Sequence, residues 1–161
     1  MATATSQQKV DAENKKLRDE IERKHKKSPE QLFQEREKRL YDAVQMKVPD
    51  RVPVIFGGTL FACKYAGLPY SAAYYEPVAW KNAYRKMLLD LEPDAYGSAM
   101  VESGSAMAAL ESNYTKWPGG NLPPDVGQQV IEQEFMKEDE YDLFLSDPSD
   151  FILRVWLPRV F

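Results

Sequence analysis

Hydrophobic positions fall into two rhythms along this chain, and the change between them near residue 50 organises the reading. Residues 7–27 contain no Gly or Pro and are dominated by Lys, Glu, Arg and Asp, with Val10, Leu17 and Ile21 at spacings of seven and four. So thin a stripe predicts a charged helix with one narrow seam. The seam fits a dimer contact as well as a solvated extension, and both readings stand. Residues 1–6 are small and polar, an expected disordered start. Ser28-Pro29-Glu30-Gln31 then opens a second helix, with Ser as N-cap, Pro in the first turn and Gln31 completing a capping box. It is expected to run to about residue 47 with Phe33, Leu40 and Val44 inward, and Pro49 ends it.

Beyond that point the pattern alternates between short apolar runs and helical stripes. Residues 52–56 form a β-branched run closed by Gly57-Gly58, the mark of a fully buried strand. A short helix is expected over 59–65, before Gly67 and Pro69. Residues 76–91 carry Trp80, Ala83, Tyr84, Met87, Leu88 and Leu91 on one helical face behind Pro77. Glu92-Pro93-Asp94 breaks that helix, and 95–101 reads as a second buried strand. Strand, helix and strand at this spacing predict a parallel sheet and an α/β fold. Further on, 104–110 reads as helix, 119–127 as loop and 128–135 as strand, followed by helices over 137–145 and 148–158. The closing apolar run Phe151, Ile152, Leu153, Val155, Trp156 and Leu157 requires a partner surface, since each wet side chain of this size forfeits roughly 1.5–3 kcal/mol.

Charge narrows the classes. Residues 1–52 hold 13 Lys/Arg against 10 Asp/Glu, whereas the remainder is net negative, giving −4 for 161 residues. The small basic excess is spread along mixed-sign helix and lacks the clustering of a nucleic-acid footprint. No run approaches the ~18 apolar residues of a membrane span, and residues 1–11 lack the apolar core of a signal peptide. A cytoplasmic setting is the expectation. Cys63 is the only cysteine, and its neighbours Phe61, Ala62 and Tyr65 mark it as a small buried hydrophobe. His25, flanked by Lys24 and Lys26, is expected to be exposed and idle. One His and one Cys cannot assemble a zinc site with nitrogen and sulfur ligands. The acidic run 138–142 is read as a helix start favoured by the macrodipole, in preference to a divalent-ion site.

Three segments carry a family resemblance. RLYDAVQMKVPDRVPV, from Arg39 to Val54, resembles the opening of the uroporphyrinogen decarboxylase superfamily. WPGGNLPP (Trp117 to Pro124) and MKEDEYDLFLSDPSDFILRVWLPRV (Met136 to Val160) resemble decarboxylase-like members of it, and the match covers about residues 36–160. The resemblance implies a (β/α)8 TIM barrel and either tetrapyrrole decarboxylation or methyl transfer involving corrinoid proteins and thiols. Eight strands take about 250 residues, so the chain reads as a partial barrel of two or three βα units. It is expected to comprise a polar tail and helical extension at 1–28, then the first part of the barrel at 29–161.

Barrel chemistry sits at the carboxyl ends of strands. Those positions are Gly57, Gly58 and Thr59 after the first strand, and Glu102 and Ser103 after the second. The paired glycines either admit an anionic ligand to the backbone or make a tight turn. Glu102 is the candidate catalytic carboxylate, as general base or as anchor for a ligand amine or metal-bound water. If it has been misplaced, it is an ordinary surface Glu. The superfamily's decarboxylases hold substrate carboxylates with an Arg-rich R-Q-A-G-R segment after the first strand. Here that place reads Gly57-Gly58-Thr59-Leu60-Phe61-Ala62-Cys63-Lys64, without Arg. Those enzymes also end the second strand with an Asp that Glu102 only approximates. The resemblance therefore implies methyl transfer linked to a corrinoid partner first and tetrapyrrole decarboxylation second. In the methyltransferases the zinc-binding His and Cys lie in the later half of the barrel, outside this sequence. A non-enzymatic reading also stands, in which an inactive chain acts as an interaction module through its helical extension, with a homodimer as one form.

Overall fold

Ser28 is extended, at φ −70° and ψ 157°; its Oγ accepts the Gln31 amide at 3.2 Å and the Gln31 Oε1 accepts the Ser28 amide at 2.9 Å. This reciprocal cap satisfies two donors that a helix start otherwise leaves open. It separates helix α1 (Ser6–His25) from α2 (Pro29–Val44), as the sequence predicts. The computed structural model describes residues 6–97 and 101–161; of the disordered start expected over 1–6, residues 1–5 lie outside them and Ser6 already belongs to α1. Helix α2 ends at Val44, short of residue 47, because Met46 takes a left-handed φ of 58°.

The chain divides into two compact units, Met1–Phe56 with Pro93–Gly97 and Gly57–Glu92 with Ser98–Phe161. In the first, strand β1 (Ile55–Phe56) lies parallel to β2 (Ala95–Tyr96), with Ile55 opposite Ala95 and Phe56 opposite Tyr96. The Gly97 amide donates to Phe56 O at 3.0 Å and the Asp94 amide to Val54 O at 2.8 Å. The predicted strands are therefore parallel neighbours, but each is shorter than expected. Pro53 has no N–H for a ladder, so pairing begins only beyond it. Residues 98–100 of the second expected strand lie outside the described residues. Nor is the first strand fully buried: Val52, Val54 and Ile55 are 80%, 50% and 66% exposed. Phe33 and Val44, expected inward, are exposed as well, and the residue that α2 buries is Arg39.

Parallel strands need a crossover, and residues 57–92 supply it as α3 (Phe61–Tyr65), α4 (Ala72–Tyr75) and α5 (Pro77–Leu91). Of the predicted α5 face, Ala83, Tyr84 and Met87 are buried, while Leu91 in the last turn is exposed. Cys63, Ala72, Ala73, Tyr74 and Trp117 form the core of this second unit, and Leu60, Trp80, Val101 and Met107 pack against them. Helix α6 (Gly104–Ala109) follows.

The strand expected over 128–135 is confined to β4 (Gln129–Val130). It pairs antiparallel with β3 (Thr115–Lys116), a strand the sequence pattern did not announce. The expected third strand thus closes a hairpin. The connecting loop is fixed by the WPGGN segment: the Asn121 Oδ1 accepts the Trp117 amide at 2.8 Å, and Gly119 turns with φ 78°. A Cβ on Gly119 would come within 2.7 Å of the Ser71 Cβ, and one on Gly104 would collide with the Tyr75 ring.

A 3-10 turn at Glu138–Glu140 leads into α7 (Tyr141–Ser146) and α8 (Pro148–Phe151), and the Asp147 Oδ1 caps α8 from the Ser149 and Asp150 amides. A π-helical turn, Ile152–Trp156, then precedes α9 (Leu157–Val160). Pro158 has no N–H to return to Arg154 O, and the wider turn accommodates the missing bond. The closing apolar run finds its partners inside this unit. Phe151 stacks edge-on against Phe144 at 5.6 Å, Trp156 meets Tyr114 at 6.3 Å, and Val160 is buried. Leu153 remains 65% exposed.

Candidate functional site

The loops after the two parallel strands both lead onto the apolar cluster of the second unit. After β1, Gly57 is exposed, and a Cβ there would meet nothing within 4 Å. Its φ is not positive, so neither crowding nor a left-handed turn demands a glycine at that position. Gly58 O accepts the Ala62 amide at 3.2 Å and so starts α3. Thr59 O accepts the Trp80 indole N–H at 3.1 Å. The backbone carbonyls of Gly58 and Thr59 therefore already serve the fold.

After β2, Val101 packs into the cluster and Glu102 follows it as an exposed side chain. Ser103 Oγ accepts the Ala106 amide at 3.4 Å and caps α6, which gives this candidate ligand residue a structural task. Leu60 and Val101, each next to a predicted site residue, pack against the same cluster, so the two loops share an apolar floor.

That floor contains a residue the sequence reading missed. The Tyr74 hydroxyl donates to Gln128 Oε1 at 2.8 Å. Burial, reinforced by the negative charge of Glu102, pushes the phenol up to about 12. Glu102 therefore acts on a buried, neutral hydroxyl that is held in place from the β3–β4 hairpin. No local motif announces this, because Tyr74 and Gln128 are 54 residues apart. Close by, Trp117 Nε1 donates to the Tyr75 hydroxyl at 2.9 Å.

The strongest electrostatic constellation lies in the other unit and is built from the PDRVPV segment. Arg39 grips Asp50 with two N–H···O bonds, Nε to Oδ1 and Nη2 to Oδ2, both 2.7 Å. Its Nη1 donates to Asp94 Oδ1. Arg51 forks onto the same Asp94 at 2.6 and 2.7 Å, and the Val54 amide donates to it at 2.8 Å. The Asp94 side chain has no exposed surface. Burial pushes its carboxyl up, but the Val54 amide and the two guanidinium groups outweigh that and hold it below the usual range. Asp50, hydrogen-bonded by Arg39, is held at about 2. Both guanidinium groups and the Val54 amide converge on the buried Asp94, so the cluster is a staple between α2 and the two strands. Its one sequence trace is the repeated Pro-Asp pair at 49–50 and 93–94.

Among the described residues, no group of three or more His, Cys, Asp or Glu is placed to hold a metal ion. Cys63 is fully buried, as expected, and burial raises its thiol pKa. His25 is half-buried, contrary to the exposed position expected of it. Within the acidic run, Glu140 forms a bidentate pair with Arg159 at 2.7 and 2.5 Å and is held at about 2 by that contact. Its partner is therefore a guanidinium. No helix among the described residues is long and apolar enough to cross a membrane. Comparison with family models, curated proteins and solved structures finds no match to this chain.

Proposed function

We propose that this chain is the N-terminal part of an enzyme of the uroporphyrinogen decarboxylase superfamily, a partial (β/α)8 barrel whose activity is methyl transfer linked to a corrinoid partner. The observation that carries the reading is the parallel pairing of Ile55 with Ala95 and Phe56 with Tyr96 around a helical crossover. It is supported by the use of Arg39, Asp50 and Arg51, the residues of the resembling segment, to staple those strands. Parallel neighbours joined through helices are what successive barrel strands require. The proposal includes a cytoplasmic setting, consistent with a lone buried cysteine.

Glu102 is the acid–base residue in this reading, its charge felt at the Tyr74 hydroxyl, while Gly57, Gly58, Thr59 and Ser103 form the ligand-facing rim. A zinc ion in the complete enzyme would activate the acceptor thiol as a thiolate. This chain offers that ion no ligand set among its described residues. Methyl transfer is favoured over tetrapyrrole decarboxylation because the loop from Gly57 to Lys64 has one cation, Lys64, for a substrate bearing many carboxylates.

The test follows the absorbance of methylcobalamin in the presence of an alkyl thiol and the protein expressed from its full reading frame. Thiol-dependent loss of the methyl–cobalt bands is expected, and Glu102→Gln is expected to slow it about 100-fold, the scale of a lost acid–base group. Carbon dioxide release from a porphyrinogen, with no corrinoid turnover, would replace this reading with decarboxylation. Turnover and binding of neither compound would remove both.

A further inference from the structure

Two adjacent tyrosines close α4, and they are placed differently. Tyr74 is 5% exposed and spends its hydroxyl proton on Gln128 Oε1. Tyr75 is 40% exposed, and its hydroxyl accepts the Trp117 indole N–H at 2.9 Å. That bond occupies a lone pair and leaves the proton, which meets no acceptor among the described residues. A hydroxyl that already accepts is also the stronger donor, because linked hydrogen bonds polarise one another.

The ring is held as firmly as its hydroxyl. A Cβ on Gly104 would lie 2.7 Å from Tyr75 Oη, and one on Gly119 would lie 3.1 Å from Cε2 of the same ring. Gly104 has no positive φ, so the approach of this ring is what requires a glycine there. Gly104 stands two residues after Glu102, so the fixed hydroxyl lies against the loop that carries the candidate site, all within the second unit. A side chain locked by its neighbours, yet exposed and with its proton unspent, has the preorganisation of a binding group.

Charge selects the ligand. Residues 69–76, 101–110 and 117–124 meet around Tyr75 and carry two charges, Glu76 and Glu102, both negative. An anionic acceptor would face like charge there, with no cation in those segments to offset it. A neutral carbonyl oxygen takes a hydroxyl proton without that cost. The apolar floor of Leu60, Val101 and Met107 suits an uncharged body.

We propose that Tyr75 is a ligand-binding residue, donating its hydroxyl hydrogen bond to a neutral carbonyl oxygen, of an amide or ester, on the molecule bound at the Glu102 loop. The inference deepens the proposed function and rests on it, because that reading makes the Glu102 loop face the substrate. Its test is binding and needs no turnover.

The chain has three tryptophans, so Trp80→Phe and Trp156→Phe assign the Trp117 indole N–H resonance, which reports directly on Tyr75. The full chain is titrated with N-acetylcysteamine, 3-mercaptopropionate or ethanethiol to about 50 mM, past the millimolar affinity expected of so small a ligand. N-acetylcysteamine is expected to shift the Trp117 resonance saturably. The carboxylate of 3-mercaptopropionate should make its response about tenfold weaker or less, and ethanethiol, with no acceptor oxygen, should leave the resonance in place. Tyr75→Phe keeps the ring against Gly104, and with helix content unchanged by circular dichroism it is expected to abolish the shift. A tyrosine with a merely structural role would leave the wild-type resonance unmoved. That result, an equal response to the carboxylate, or a shift that survives Tyr75→Phe overturns the proposal. A shift without consumption of methylcobalamin removes the methyl-transfer reading and keeps Tyr75, whereas consumption with an unmoved resonance does the reverse.

Discussion

The two units are held together by different physics. In the first, the buried residues among those described are Arg39, Pro93 and Asp94, and large apolar side chains such as Phe33, Tyr41, Val44, Ile55 and Tyr96 are exposed. In the second, the buried set is Cys63, Tyr74, Tyr84, Met87, Trp117, Phe151 and Val160 with small alanines between them. One unit closes around an ion cluster and the other around aromatic packing. Hydrophobic burial carries no titrating charge, whereas an ion cluster depends on the protonation of its carboxylates. The units should therefore fail under different conditions.

The largest effect is expected from Asp94→Ala. It leaves two guanidinium groups and the Val54 amide facing an empty acceptor position, a loss of about 3–5 kcal/mol for a broken buried pair. Hydrogen exchange at the Gly97 and Asp94 amides should accelerate, while amides around Met87 keep their protection. Uniform acceleration across both units would show that the division has no energetic meaning.

A pH series sharpens the contrast. The Asp50 and Asp94 carboxyls are held below their ordinary range in the folded state. Their contribution is complete above the unfolded pKa of about 4 and is lost as pH falls toward the folded value of about 2 for Asp50. The opposite limit belongs to the second unit. Tyr74, raised to about 12, and Cys63, also raised, favour the folded state while neutral. That preference begins to fade as pH rises through the unfolded values of about 8.5 for Cys and 10 for Tyr. Exchange measured across pH should show the first unit opening on the acid side. On the alkaline side the second should open, while the Glu140–Arg159 pair gives its C-terminal helices a separate acid-labile contact. Identical profiles for both units would sink the comparison.

The smallest change is Tyr74→Phe, which removes one hydrogen bond to Gln128, an exposed residue that water can resupply. A loss of about 1 kcal/mol is expected, read as a lowered Tm. A much larger loss would mean that the hydroxyl organises more of the hairpin than the Gln128 contact describes.

Local chemistry was legible in the sequence, and distant pairing was not. The Ser28–Gln31 cap, the α5 stripe, the burial of Cys63 and the parallel order of β1 and β2 follow from neighbours within a few residues or from βα rhythm. Arg39 and Asp94 are 55 residues apart, and the repeated Pro-Asp pair, the one trace of the cluster, does not say that Asp94 is buried against Arg39. The same blindness hid Tyr74 and Gln128. Periodicity also marks Phe33 and Val44 as a face without saying what that face meets, and the inward placement it predicts fails because both are exposed. The paired glycines illustrate a subtler limit. Composition flags them as special, yet open space around Gly57 shows that its lack of a side chain is no packing requirement.

The wide turn at Ile152–Trp156 has a directional effect. A π turn spends one residue more than a regular helical turn, so everything after it is rotated by about 100° relative to an unbroken helix. That change of phase aims Val160 at the interior, where its carbonyl receives the Asn113 amide at 2.7 Å. The proline at 158 thus works as a steering element: by denying one backbone bond, it chooses which side of the last helix is dry.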